Sequence, residues 1–133
     1  MPIKIKYCGL KQKSEIELAC ELNVDAIGLV FVEKSVRYVN VNEAIELSGH
    51  LRSIDLISKP RMVALFVNPE DSFVRQVIDD VRPDVLQFHG QETEAFCRQF
   101  GLPYWKAIAM LDDVPWQKQL NDFQSAEYCL LDA

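Results

Sequence analysis

Apolar and polar residues alternate singly from Ile3 to Cys8. Such a pattern predicts a strand with two unlike faces: Ile3, Ile5 and Tyr7 on one, Lys4, Lys6 and Cys8 on the other. Gly9 allows a sharp exit, and Ser14 with Glu17 fits a capping box for a helix over Ser14 to Leu22. Ile16, Leu18, Ala19 and Leu22 are its expected apolar stripe. A second strand runs from Val24 to Val32, and Ala26 to Phe31 is a continuous apolar run of the kind found where both faces of a sheet are covered. A polar loop, Glu33 to Tyr38, follows.

The same alternation of strand and helix then repeats. Asn42 opens a helix carrying Ala44, Ile45, Leu47 and Leu51; Met62 to Val67 is a third strand; Pro69 suits the first turn of a helix that runs to about Val81 with Phe73, Val74, Val77 and Ile78 inward. Val85 to His89 is a fourth strand, Glu92 to Phe100 a helix ended by Gly101, and Pro103 to Ile108 a fifth strand. Asp112 or Asp113 with Pro115 starts a fifth helix, and Glu127 to Asp132 is a sixth strand. No linker divides the chain, so residues 1–133 read as one α/β domain. Strand–helix alternation with short loops means a parallel sheet with right-handed crossovers. Periodicity leaves two architectures open, a doubly wound open sheet and a (β/α)8 barrel.

Composition adds limits. At 133 residues, 49% apolar and 26% charged, the chain is an ordinary globular one with room for a core. A formal charge of −6 argues against a nucleic-acid surface, and no apolar run approaches the roughly 18 residues of a membrane span. The start, Met1 to Lys4, lacks the apolar stretch of a secretion signal. The four cysteines have neither metal-ligand nor disulfide-framework spacing, so a reducing cytoplasm is expected.

Parallel α/β folds place their chemistry at the carboxyl ends of strands. Cys8, Asn68, Gln87, His89 and Asp132 fall there, with Arg37 on the loop after the second strand. Cys8 is either a small buried hydrophobe or a thiolate base. Lys6, on the same face, either favours the thiolate by charge proximity or reaches out of the sheet's amino end into solvent. Asp132 ends an apolar strand, as a helix N-cap or as a general acid in a partly apolar mouth. His89 fits a proton shuttle, a substrate contact or a structural hydrogen bond, and shares its strand face with Gln87. Arg37 suits a carboxylate or phosphate, or is a solvated loop arginine. His50 reads as surface, Trp105 as core and Trp116 as helix packing. No glycine-rich nucleotide loop is present.

Lys6-Tyr7-Cys8-Gly9-Leu10, Asp25 to Phe31, Lys34-Ser35-Val36-Arg37-Tyr38-Val39, Leu65-Phe66-Val67-Asn68, Val85 to Glu92, and the strands at Lys106-Ala107-Ile108 and Leu130-Leu131-Asp132 resemble, in order, motifs of the phosphoribosylanthranilate isomerase family. The resemblance implies a (β/α)8 TIM barrel, here of about six strands and five helices, and an Amadori rearrangement in tryptophan biosynthesis that uses no metal and no organic cofactor. It implies Asp132 as general acid, Cys8 as general base, and Arg37, Gln87 and His89 as substrate-binding residues for a phosphorylated sugar–anthranilate. Departures are mild: Asn23-Val24 stands where Gly-Ala is usual, Leu29 where an aromatic is common, Phe88 where Leu is common, and Ala133 where Ser or Thr is common.

The family continues past the position of Ala133 with strands seven and eight, whose loops grip phosphate in such barrels. The expectation is therefore an incomplete barrel whose open edges invite a homo-oligomer, inactive as an isolated 133-residue chain. Two other readings remain open at this point: a non-catalytic α/β binding or assembly module, and a flavodoxin-like open sheet with a small ligand at its switch point.

Overall fold

The computed structural model describes residues 3–110 and 115–132. Six strands, β1 (Lys6–Cys8), β2 (Ala26–Val30), β3 (Arg61–Phe66), β4 (Val85–Phe88), β5 (Tyr104–Ala109) and β6 (Tyr128–Asp132), pair in the order β1-β2-β3-β4-β5-β6, every pair parallel. Five helices separate them: α1 (Lys13–Glu21), α2 (Val41–Ser53), α3 (Asp71–Val81), α4 (Glu94–Arg98) and α5 (Trp116–Asp122). A doubly wound sheet reverses its strand order at a switch point. This one never reverses, and among the described residues β1 pairs only with β2.

The sheet is rolled. In a flat sheet β1 and β4 would stand about 14 Å apart, and β1 and β6 about 24 Å. Yet the Lys6 amine on β1 hydrogen-bonds Gln87 Oε1 on β4, and Lys4 Nζ donates to Tyr128 Oη on β6 at 3.2 Å. Rolling sorts side chains into two layers. Ala26, Val63, Val85, Trp105 and Leu130 pack together inside the arc, whereas Ile27, Leu29, Phe66, Phe88 and Tyr104 face the helices in the main core. Helices on one side and strands enclosing the other define a barrel wall.

Local chemistry at the strand starts holds the register. Asp25 Oδ2 accepts from Ile5 N–H and Asp84 Oδ2 from Met62 N–H, both at 2.7 Å, so an aspartate before one strand steadies its neighbour. Glu127 does the same for β5 by accepting from Trp105 Nε1 at 3.0 Å. Two departures from the family pattern are accommodated. Asn23 adopts φ 57°, the left-handed conformation that asparagine tolerates best after glycine. Phe88 is enclosed by the Phe66, Phe96, Phe100 and Tyr104 rings.

Several expected boundaries move. Helix α1 is capped at Gln12, whose N–H donates to Glu15 Oε1 at 3.1 Å; Glu17 is free to meet His50 at 3.1 Å. At 3.6 residues per turn Leu18 and Leu22 lie far round the helix from Ile16, and both are exposed while Ile16 and Ala19 are buried. Asn40, not Asn42, caps α2, its Oδ1 accepting from Glu43 N–H at 2.8 Å. Pro69 precedes the Glu70 cap of α3, and α4 is a short helix opened by Thr93. The expected caps Asp112 and Asp113, and Ala133, lie outside the described residues.

Candidate active site

Strand register decides which side chains share the barrel interior. Cys8 stands level with Gly28, Val63 and Val85, while Gln87 stands level with Val30, Leu65, Trp105 and Tyr128. Asp132 lies two residues beyond the interior Leu130, and His89 two beyond Gln87. The parity expected from the sequence therefore holds: Lys6 with Cys8, and Gln87 with His89, face inward.

Contacts at two levels assemble the site. Gly9 (φ 83°) turns the chain after Cys8, and its N–H donates to Gly28 O at 2.9 Å. The bare Cα at Gly9 admits Arg37: a Cβ there would stand 2.2 Å from Arg37 Cδ. From that position Arg37 Nη1 donates to Cys8 O at 3.2 Å, which fixes the loop after β2 over the end of β1. At the opposite wall His89 Nε2 and Asp132 Oδ2 pair at 3.0 Å, both half-exposed to solvent at the mouth. Below them, Lys6 bonds Gln87 and stands 5.5 Å from the Trp105 ring centroid. Burial pulls the Lys6 amine below its ordinary value, opposed by attraction to Cys8.

Of the sequence-predicted residues, Arg37, His89 and Asp132 are exposed at strand ends and Cys8 is half-buried on the interior face. Gln87 differs: it is buried and engaged with Lys6. The other cysteines belong to the helix layer, and burial pushes Cys97 up to about 12 and raises Cys20 and Cys129. Among the described residues no group of three or more His, Cys, Asp or Glu side chains is placed to hold a metal. A cavity of about 720 Å3 opens at the other end of the strands, among Lys4, Asp25, Arg61, Trp105 and Tyr128, away from Arg37, His89 and Asp132.

One arrangement lies outside the residues that the sequence singles out. Lys106 and Glu92 form an ion pair of 3.1 Å in the helix layer, their side chains only 3% and 2% exposed. Glu92 accepts from Asn68 N–H at 2.7 Å and Gly90 N–H at 3.0 Å, and Lys106 donates to Gly90 O at 2.5 Å. The loops after β3 and β4 are thereby latched together, next to His89. A lysine in the otherwise apolar run Tyr104–Ala109 is the signal that could have revealed it.

A rolled parallel sheet of six strands with helices between them on its outer face, and with a thiol, a guanidinium, an imidazole and a carboxylate at the strands' carboxyl ends, defines a protein of the (β/α)8-barrel class. The comparisons specify which. A family model for N-(5'-phosphoribosyl)anthranilate (PRA) isomerase matches residues 5–133. A curated N-(5'-phosphoribosyl)anthranilate isomerase from Legionella pneumophila is 40% identical over 131 residues, covering 98% of this chain and 60% of its own length. That from Stenotrophomonas maltophilia is 45% identical over 107 residues, covering 80% and 47%. A solved phosphoribosyl anthranilate isomerase in complex with reduced 1-(o-carboxyphenylamino)-1-deoxyribulose 5-phosphate superposes with TM-score 0.85 at 27% identity, over 98% of this chain and 65% of that one. The Thermotoga maritima enzyme gives TM-score 0.85 at 24% identity, over 99% and 63%. This chain belongs to the phosphoribosylanthranilate isomerase family. It spans about three-fifths of the length of the Legionella relative.

Proposed function

We propose that the protein carrying this chain isomerises N-(5'-phosphoribosyl)anthranilate to 1-(2-carboxyphenylamino)-1-deoxyribulose 5-phosphate, a step of tryptophan biosynthesis. Asp132 protonates the furanose ring oxygen, and the ring opens to an imine. Cys8, as thiolate, then takes the C2′ proton; the C–H electron pair enters the enolamine, which becomes the ketone. Arg37 faces the anthranilate carboxylate, and His89 holds the Asp132 carboxyl in place. The observation that carries this reading is the shared orientation of Cys8 and Asp132. Both face the interior at the same end of the barrel, from strands at opposite ends of the arc. The ligand named for the solved relative, a reduced form of the proposed product, supports the substrate class.

The chain has no helix, among the described residues, long and apolar enough to cross a membrane, and its four cysteines are unpaired thiols. We place the protein in the cytoplasm, acting on a small molecule rather than nucleic acid. The outer edges of β1 and β6 are unpaired among the described residues, which favours association with further strands or with a second copy. A polypeptide limited to these 133 residues is expected to be inactive, since barrels of this class grip phosphate with loops after their seventh and eighth strands.

The test is turnover of N-(5'-phosphoribosyl)anthranilate by the protein carrying this chain, with Cys8→Ser and Asp132→Asn beside it. The proposal expects product from the parent and a loss of at least about 10²-fold in kcat for each variant. Near-normal kcat in either variant would remove that residue from its role.

A further inference from the structure

Lys6 is the interior group that the proposed chemistry does not yet use. We propose that Lys6 is a positioning residue for Cys8: its ammonium, held across the barrel by Gln87 and the Trp105 ring, keeps the Cys8 sulfur as the thiolate that proton abstraction requires. The proposal rests on the reading of Cys8 as general base.

Its geometry is built for a cation. Gln87 presents its amide oxygen to the Lys6 amine, and Trp105 offers a ring face 5.5 Å away. Both stabilise an ammonium, Gln87 by accepting one of its hydrogens and Trp105 through its ring face. Gln87 is itself buried, so its amide is committed to the barrel interior rather than to bulk water. Lys6 has no ion pair with a carboxylate among the described residues, although burial disfavours its charge. The anion that compensates it is the sulfur next along its own strand face.

Gly28, their neighbour on β2, leaves room for both side chains on one side of the sheet. A Cβ built on Gly28 would stand 3.0 Å from Cys8 Sγ and 3.1 Å from Lys6 Cε, so the thiol and the end of the lysine chain share the space that glycine leaves. The other charged and titratable groups facing the pair are accounted for. Arg37, on the loop after β2, binds the Cys8 carbonyl oxygen. His89 on β4 is engaged with Asp132 at the end of β6. Lys4 is directed to Tyr128 Oη at the other end of the barrel. Lys6 is thus the cation whose position the sheet itself fixes beside the sulfur. In the reaction the C2′–H bond breaks and an S–H bond forms, while Lys6 keeps its own protons throughout.

Alkylation of Cys8 by iodoacetamide at neutral pH reads the thiolate without needing turnover. Peptide mass spectrometry separates Cys8 from Cys20, whose surroundings include Lys59 and Glu17 but not Lys6, and Cys20 serves as the internal reference. In the protein carrying this chain, Lys6→Met and Lys6→Gln should each slow Cys8 alkylation about tenfold relative to Cys20. Each should also lower kcat with little change in KM. Both replacements remove a half-buried charge, and Gln retains hydrogen-bonding capacity. A Cys8 rate in either variant equal to that of the parent overturns the proposal. Slowed alkylation in a protein that fails to turn over the anthranilate would keep the Lys6–Cys8 pairing and overturn only the proposed reaction.

Discussion

His89 Nε2 and Asp132 Oδ2 lie 3.0 Å apart, joining the ends of β4 and β6 over the top of the strand between them. The bridge is feasible because β5 carries only Ala107 and Ala109 on its interior face beyond Trp105. A carboxyl that donates to a ring oxygen must be held at a fixed angle, and the imidazole supplies that hold. His89→Ala should lower kcat by about tenfold to a hundredfold, the worth of a hydrogen bond to the carboxylate that forms as Asp132 gives up its proton, with KM little changed. His89→Asn, which can still donate to Asp132, should lose less. Steady-state kinetics of the two variants checks the order.

The latch between Glu92 and Lys106 should dominate local stability. Removing one partner strands a buried charge, so Lys106→Met or Glu92→Leu alone should cost about 3–5 kcal/mol. Replacing both together should cost less than the sum of the two single losses, since no unpaired charge remains, although the Asn68 and Gly90 N–H groups lose their acceptor. Urea unfolding of the single and double variants measures the difference.

How much of this was legible in the sequence depends on the distance over which each feature is specified. The alternation around Lys6 and Cys8, and the parity of Gln87 and His89, needed only a period of two, and the register agrees. The barrel class came from matched motifs, since strand–helix alternation alone left an open sheet equally acceptable. In α1 the apolar residues Leu18 and Leu22 read as one stripe with Ile16, yet they lie on another face and are exposed. Glu17 resembled a capping residue because its true partner, His50, is 33 residues away. The Glu92–Lys106 pair is set the same way: a latch among β3, β4 and β5 exists only once the sheet has formed. Gln87 reads from the sequence as a substrate-binding residue at a strand end, and its bond to Lys6 across the interior depends on curvature that no local pattern encodes.

Acid should weaken one tie at the far end of the barrel. Arg61 Nη1 reaches Glu127 Oε1 at 2.6 Å and Nη2 reaches Oε2 at 3.1 Å. That hydrogen bond holds the Glu127 carboxyl below its ordinary 4.5. Because the folded value is the depressed one, the stabilisation is whole above 4.5 and fades as pH falls through the lowered value. With the two side chains 40% and 31% exposed, solvent screening leaves at most about 1 kcal/mol. Arg61→Met should therefore destabilise the protein slightly at neutral pH and progressively less as pH falls below 4.5, measured as the shift in urea midpoint.

Gly9 reports on Arg37. A methyl group at Gly9 would overlap the Arg37 chain and sit at φ 83°, a conformation that alanine disfavours. Gly9→Ala should displace Arg37 from Cys8 O and raise KM about tenfold, as Arg37→Met should, through loss of a charge-assisted contact to the substrate carboxylate. The double variant should be no worse in KM than the more affected single one, and its kinetics would show whether the two act through the same contact.

The central claim is that Asp132 and Cys8 act in sequence, opening the ring and then removing the C2′ proton. Borohydride trapping during incubation with substrate tests it directly, because hydride adds to the open imine and not to the closed furanose. With Cys8→Ser the ring opens and the next step stalls, so the account predicts a reduced open-chain amine accumulating above the enzyme-free level. With Asp132→Asn the trapped amount should stay at that level. Equal trapping by the two variants, or trapping by Asp132→Asn alone, would contradict the assignment.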